Sequence, residues 1–169
     1  FVQKTRHLVR NRVILLLSVK AGLRAKEIAA LTWPMVTDAD GEIGTAIHLL
    51  DSASKGRSGR IIPLNGILKH ALADWSEISG RRSNHVITTE RSPKTTAQAI
   101  VNLFARWYDE LGYVGASSHS GRRTFITNAA RKIPSVGGSI RDVQALAGHS
   151  SLKTTQGYIE ADGEAQKRV

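Results

Sequence analysis

The longest apolar run in the chain, Val13-Ile14-Leu15-Leu16-Leu17, lies inside a stretch from His7 to Ala21 where Leu8, Leu15 and Val19 keep near-helical spacing. The apolar side of such a helix is broad, and a helix with so little polar face has to be buried. The run is far shorter than the roughly 20 apolar residues a membrane crossing needs. It therefore predicts a core helix of a globular domain. Gly22 punctuates it. Ala25 to Leu31 continue as a short helix, which Trp33-Pro34 stops.

The rest of the chain alternates helical periods with turn signals. Gly66 to Ser79 predicts a helix with Ile67, Leu68, Ala71, Leu72 and Trp75 inward. Thr95 to Leu111 predicts another, with Ile100, Leu103, Phe104 and Trp107 inward and Gly112 at its end. Ser120 to Lys132 follows, with Ser117 or Ser118 as its cap. Ser139 to Ala147 closes at Gly148, where a left-handed cap favours glycine. Ser150 to Tyr158 restarts as a short helix. Asp38-Ala39-Asp40-Gly41 is a turn signal. Beyond it, Glu42 to Leu50 and Arg60 to Leu64 read as two strands around a basic loop, a small antiparallel hairpin. Val86-Ile87-Thr88 reads as a short extended piece. The expected fold class is α+β and mostly helical, with a small antiparallel sheet, in one domain spanning residues 1–169.

Charge narrows the partners. The net charge is +10, which favours a polyanion, and nucleic acid above all. No helix pairs a basic face with exposed aromatic anchors, so a membrane surface is disfavoured. The chain has no cysteine, which excludes a disulfide scaffold, thiolate zinc sites and cysteine nucleophiles. No His-Glu-x-x-His pattern and no P-loop spacing is present, and no signal peptide opens the chain. The expectation is a cytoplasmic, nucleoid-associated protein without metal or cofactor.

Several polar residues could act on a phosphate. Arg24 follows the helix-breaking Gly22-Leu23, and Glu27, three residues on, shares its helical face and could hold its guanidinium. Arginine suits this place because its planar fork gives two hydrogen bonds to one phosphate and keeps its proton. Lys55 sits at the hairpin tip, where an ammonium can reach a leaving oxygen. Arg57 and Arg60 nearby, and Arg123, are candidates for the DNA backbone. His119 and Arg122 stand three apart at a helix start, on one face, where amide donors and the helix dipole favour an anion. Arg122 is preferred over Arg123 because it shares the histidine's face. His149 follows the Gly148 cap, and Tyr158 lies nine positions further. Tyr108 and Tyr113 have no cationic group around them. His7, His48, His70 and His85 are scattered.

Arg24 in Ala-Gly-Leu-Arg-x-x-Glu, Lys55 on a hairpin, His119-x-x-Arg122, Leu-Ala-Gly-His149 and Tyr158 resemble, in this order, the catalytic domain of the tyrosine recombinases, the phage integrase family. The resemblance spans Arg24 to Tyr158. It implies that Arg24 and Arg122 grip the non-bridging oxygens of a scissile phosphate and that His149 adds a hydrogen bond. It implies that Lys55 protonates the departing 5′ oxygen and that His119 assists proton movement. Tyr158 would attack to leave a 3′-phosphotyrosyl link, with Glu27 buttressing the site. Site-specific DNA recombination of this kind integrates or excises DNA without metal or ATP, because the covalent intermediate conserves the phosphodiester energy. The implied partners are double-stranded DNA and three further copies, a tetramer on paired sites, with the isolated domain monomeric. A type IB topoisomerase, or a DNA-binding module without catalysis, are the alternatives. Arg123 stands where the family often has a histidine, and Glu160 follows the tyrosine where histidine is common. The N-terminal DNA-clamping domain usual in such recombinases is expected to be absent from this sequence.

Overall fold

The computed structural model describes residues 5–54 and 58–160. Its organising element is α1, Leu8–Ala21, which buries Val13, Ile14, Leu17 and Ala21. It ends at Gly22, whose left-handed backbone (φ 65°) lets the chain turn sharply into α2, Ala25–Ala30. Only glycine adopts that conformation without a steric cost. The first turn of α2 is closed by Glu27, whose carboxylate accepts the Arg24 amide at 2.9 Å. A single 3-10 turn at Trp33–Met35 follows, opened by Pro34 as its fixed φ favours.

Two strands form the sheet. β1, Ala46–Leu49, runs antiparallel to β2, Arg60–Pro63, with Ile47 opposite Ile62 and Leu49 opposite Arg60. Ile47 and Ile62 point into the core, and Ile61 points out. The first strand is shorter than the predicted Glu42 to Leu50. The reason is local: the Asp38 carboxylate takes the amides of Asp40 and Glu42 at 3.1 and 2.9 Å, and the Asp38 amide bonds the Glu42 carbonyl. That turn consumes the backbone groups a longer ladder would need. Only a bridge between Thr37 and Ile43 remains there. Val86-Ile87-Thr88 forms no strand with a neighbour; its approach is a bridge between Thr32 and His85.

α3, Gly66–Ser79, and α4, Ala97–Glu110, complete the larger core. Asn65 caps α3 and Thr96 caps α4, each through a side-chain oxygen on a first-turn amide. Ile67, predicted inward, is half exposed, since Leu68, Ala71 and Leu72 take the buried face of α3. α1 packs against α3 and, on another side, against α5, Ser120–Lys132; α2 packs against α4. No serine side chain caps α5. Instead Ser117 and Ser120 tie the preceding turn, and His119 occupies the cap position. α6, Ile140–Ala147, opens with a capping box between Ser139 and Asp142 and closes at Gly148 (φ 62°). α7 is Leu152–Glu160.

The apolar interior has two parts. The larger joins α1 to α4 and the sheet; the smaller gathers Ile126, Val143 and Ala147, with Phe125 and Tyr158 against them. The polar residues buried at the seam between the two parts include Glu27 and Arg122. No helix among the described residues is long and apolar enough to cross a membrane.

Candidate active site

Glu27 is the centre of the seam. Its carboxylate is 1% exposed and meets two arginines. Arg24 donates Nη1 to Oε1 at 2.9 Å, and Arg60 donates Nη1 to Oε1 and Nη2 to Oε2, both at 3.1 Å. Burial alone would raise the carboxyl pKa. The hydrogen bonds and charge of Arg60, then those of Arg24, outweigh it and hold Glu27 below its ordinary value, so it stays ionised.

Arg122 is 1% exposed, an extreme for a charged side chain. It reaches across the seam: Nη1 donates to the Gly22 carbonyl and Nη2 to the Ala147 carbonyl, each at 2.5 Å. Burial, with the positive charges of Arg24 and Arg60, brings its pKa down to about 10, which leaves it protonated at neutral pH. Arg60 performs a parallel task on α6, donating Nε to the Leu146 carbonyl at 2.8 Å. Two guanidinium groups thus satisfy carbonyls at the C-terminus of α6, where a positive charge also suits the helix dipole. Gly148 belongs to the same arrangement. A Cβ there would stand 2.9 Å from Arg60 Nη1.

Past that glycine comes His149, 9% exposed. Its Nδ1 lies 3.0 Å from the Thr155 hydroxyl, and its ring stacks on Tyr158 with centroids 5.4 Å apart and planes 21° from parallel. Burial, and then the charges of Arg122, Arg24 and Arg60, push its pKa down to about 4. His149 is therefore neutral at pH 7. The cleft it lines, about 830 Å³, also holds Arg24, Arg60, Arg141, Gln144, Gly148 and Thr154. Arg24 borders it with donors left over after Glu27, as an anion site requires.

The structure thus gathers Arg24, Glu27, Arg122, His149 and Tyr158 from four separate parts of the chain. Electrostatically, Arg122 lies within reach of Arg24, Glu27, Arg60 and Tyr158. Arg60, a candidate for the DNA backbone by charge, has a side chain only 6% exposed and engaged by protein acceptors. His119 is exposed at the head of α5, and its ring makes no polar contact with the others among the described residues; Arg123 is exposed beside it. Lys55 and Arg57 lie outside the described residues. Thr155, Arg141 and Gln144 were not singled out by sequence. A threonine in a polar helix announces nothing, and the two α6 residues look like ordinary solvated positions. Among the described residues no group of three or more His, Asp or Glu is placed to hold a metal ion.

A mainly helical α+β domain with a tyrosine stacked beside an arginine- and histidine-lined cleft is a narrow class. The phage integrase family model matches residues 1–164. The tyrosine recombinase XerC of Shewanella amazonensis is 28% identical over 165 residues, which cover 95% of this chain and 52% of that protein. The tyrosine recombinase XerA of Thermococcus onnurineus is 29% identical over 163 residues, covering 95% of this chain and 54% of the other. Among solved structures, the Tn1549 transposon integrase in complex with a circular intermediate DNA superposes with a TM-score of 0.73 at 18% identity, over 100% of this chain and 62% of that one. The XerH site-specific recombinase bound to palindromic difH substrate gives 0.73 at 20% identity, over 99% and 48%. These superpositions establish the fold. The chain belongs to the phage integrase family, and it spans about half the length of the curated relatives it matches.

Proposed function

We propose that this domain is the strand-cleaving and rejoining unit of a site-specific DNA recombinase, with Tyr158 as its nucleophile. The observation that carries the reading is the stack of Tyr158 on His149 at a cleft lined by Arg24, with Arg122 buried in the same seam. Phosphoryl transfer needs positioning and charge neutralisation more than unusual covalent chemistry. The Tyr158 phenolic oxygen bonds to the phosphorus, and the bond from phosphorus to the 5′ oxygen breaks. A 3′-phosphotyrosyl link and a 5′ hydroxyl remain. Arg24 and Arg122 neutralise the charge that develops on the non-bridging oxygens, and His149 donates a neutral hydrogen bond to one of them. Lys55 gives the departing oxygen its proton. His119 assists removal of the phenolic proton, and Glu27 fixes the arginines. Attack by a 5′ hydroxyl of a second strand reverses the step and exchanges partners. Double-stranded DNA is the substrate, a tetramer on two sites is the working assembly, and the cytoplasmic nucleoid is its place. The net charge of +10 suits such a substrate.

The test is covalent capture. The chain is incubated at low salt with nicked suicide duplexes of randomised sequence, whose cleaved end diffuses away and prevents rejoining. A DNA adduct that survives denaturing electrophoresis is expected. It disappears in Tyr158→Phe and persists in Tyr108→Phe and Tyr113→Phe. An undiminished adduct in Tyr158→Phe would place the nucleophile elsewhere. Relaxation of supercoiled DNA by a monomer, without paired sites, would instead favour topoisomerase activity.

A further inference from the structure

We propose that Thr155 is a positioning residue that sets the tautomer of His149, its hydroxyl donating to Nδ1 so that the ring keeps its one proton on Nε2. The inference rests on the proposed role of His149 as a donor to phosphate, and it adds the group that makes the ring a donor on the required side.

The argument begins with burial. Thr155 is fully buried, and its hydroxyl has the His149 ring as its hydrogen-bond partner among the described residues. A buried hydroxyl proton that donates to nothing is costly. The acceptor available at 3.0 Å is Nδ1, which accepts only when it carries no proton. A neutral imidazole has one N–H, so the proton then resides on Nε2. The His149 ring is neutral at ordinary pH because burial and the three arginines hold its pKa near 4. The opposite tautomer would leave the Thr155 proton without an acceptor. With the proton on Nδ1 and engaged by Thr155, the ring would also have no N–H left for the phosphate that the proposed function assigns to it.

The geometry of α7 strengthens the case. Thr155 and Tyr158 are three residues apart on this helix and so share a face. One meets the edge of the imidazole and the other stacks on its plane. Docking α7 thus delivers the tyrosine and fixes the histidine proton in one movement. Gln144 holds the other side, donating Nε2 to the His149 carbonyl at 3.0 Å.

Nitrogen-15 NMR of the histidine-labelled chain tests this directly, with the His149 signals assigned by their loss in His149→Gln. The wild type is expected to show an unprotonated, pyridine-like Nδ1 and a protonated, pyrrole-like Nε2. In Thr155→Val, which keeps the shape and removes the hydroxyl, the two nitrogens should move toward a mixture. Thr155→Ser should restore the wild-type pattern. In the covalent capture assay Thr155→Val should cleave about tenfold more slowly, the worth of one hydrogen bond, with unchanged DNA affinity, and Thr155→Ser should recover. A wild-type spectrum with the proton on Nδ1 overturns the proposal, even if Thr155→Val does not fold. So does a Thr155→Val spectrum and rate identical to wild type. A wild type with the expected tautomer but no covalent adduct would sink the proposed function and leave the Thr155–His149 pairing standing.

Discussion

Replacing Arg60 by methionine separates two readings of that residue. By charge pattern it is a DNA-backbone contact; by geometry it is a clamp. Arg60→Met keeps most of the side-chain volume and removes the two 3.1 Å bonds to Glu27 and the 2.8 Å bond to Leu146. Breaking a buried ion pair from one side costs about 3–5 kcal/mol, because the remaining charge is left uncompensated. Glu27 retains Arg24, with its amide and Nη1 both at 2.9 Å, so the lower end of about 3 kcal/mol applies. Unfolding entropy near 2.1 cal/mol/K per residue gives roughly 0.35 kcal/mol/K for a chain of 169 residues. The expected fall in Tm by calorimetry at neutral pH is about 8 °C. In a cycle with Glu27→Gln, the double substitution should be less damaging than the sum of the singles. DNA binding supplies the second arm. A lost phosphate contact lowers the slope of log affinity against log salt by about 0.9. Arg60→Met should leave that slope unchanged, whereas Arg24→Met should lower it. A Tm within about 2 °C of wild type, together with a slope reduced by a full contact, would refute the clamp and return Arg60 to the DNA.

Three other outcomes follow from the same seam. Gly148→Ala forces a side chain onto a backbone with φ 62° and brings its Cβ to 2.9 Å from Arg60 Nη1; a loss of about 2 kcal/mol is expected in denaturant titration. Ser18→Ala should stabilise by about 1 kcal/mol, because the buried Ser18 hydroxyl has no hydrogen-bond partner among the described residues; a loss of stability would show that it has one. Stability should decline on acidification in two windows. From pH 6.5 to about 4 the unfolded chain takes up a proton that the folded His149 refuses, so the fall in that window disappears in His149→Gln. The contribution of ionised Glu27 is present above its unfolded pKa and is lost as pH drops through its lowered folded value, which Glu27→Gln removes.

What the sequence revealed depended on how near the partners lie along the chain. Arg24 and Glu27 are three residues apart, and their pairing is readable from helical spacing alone. Gly22 and Gly148 are readable for the same reason: each follows the last residue of an apolar period, where a left-handed turn is needed. The shortened β1 could not be foreseen, because nothing distinguishes in advance an Asp38 carboxylate that faces solvent from one that binds two amides. Arg60 was misleading. Its acceptors, Glu27 and Leu146, lie 33 and 86 residues away, and only the packed seam brings them together.

The protonation of His149 shows the same limit in electrostatic form. Counted along the sequence, Arg24, Arg60, Arg122 and His149 are four basic residues. Folded, they compete. Burial first, and then the charges of the three arginines, keep the His149 imidazole neutral. All three arginines hold protein acceptors: Arg24 and Arg60 the Glu27 carboxylate, and Arg122 the Gly22 and Ala147 carbonyls. Of the three, Arg24 borders the cleft while remaining partly exposed. On the proposed reading, an anion entering there meets the spare donors of Arg24 and the exposed Arg141 in front, with the charges of Arg60 and Arg122 behind. That division follows from solvation: a buried guanidinium with hydrogen bonds on its rim keeps its charge and its position, and its field is screened less than that of a surface charge. In the proposed reaction the uncharged His149 offers the phosphate one proton, on the nitrogen that the proposed Thr155 pairing selects.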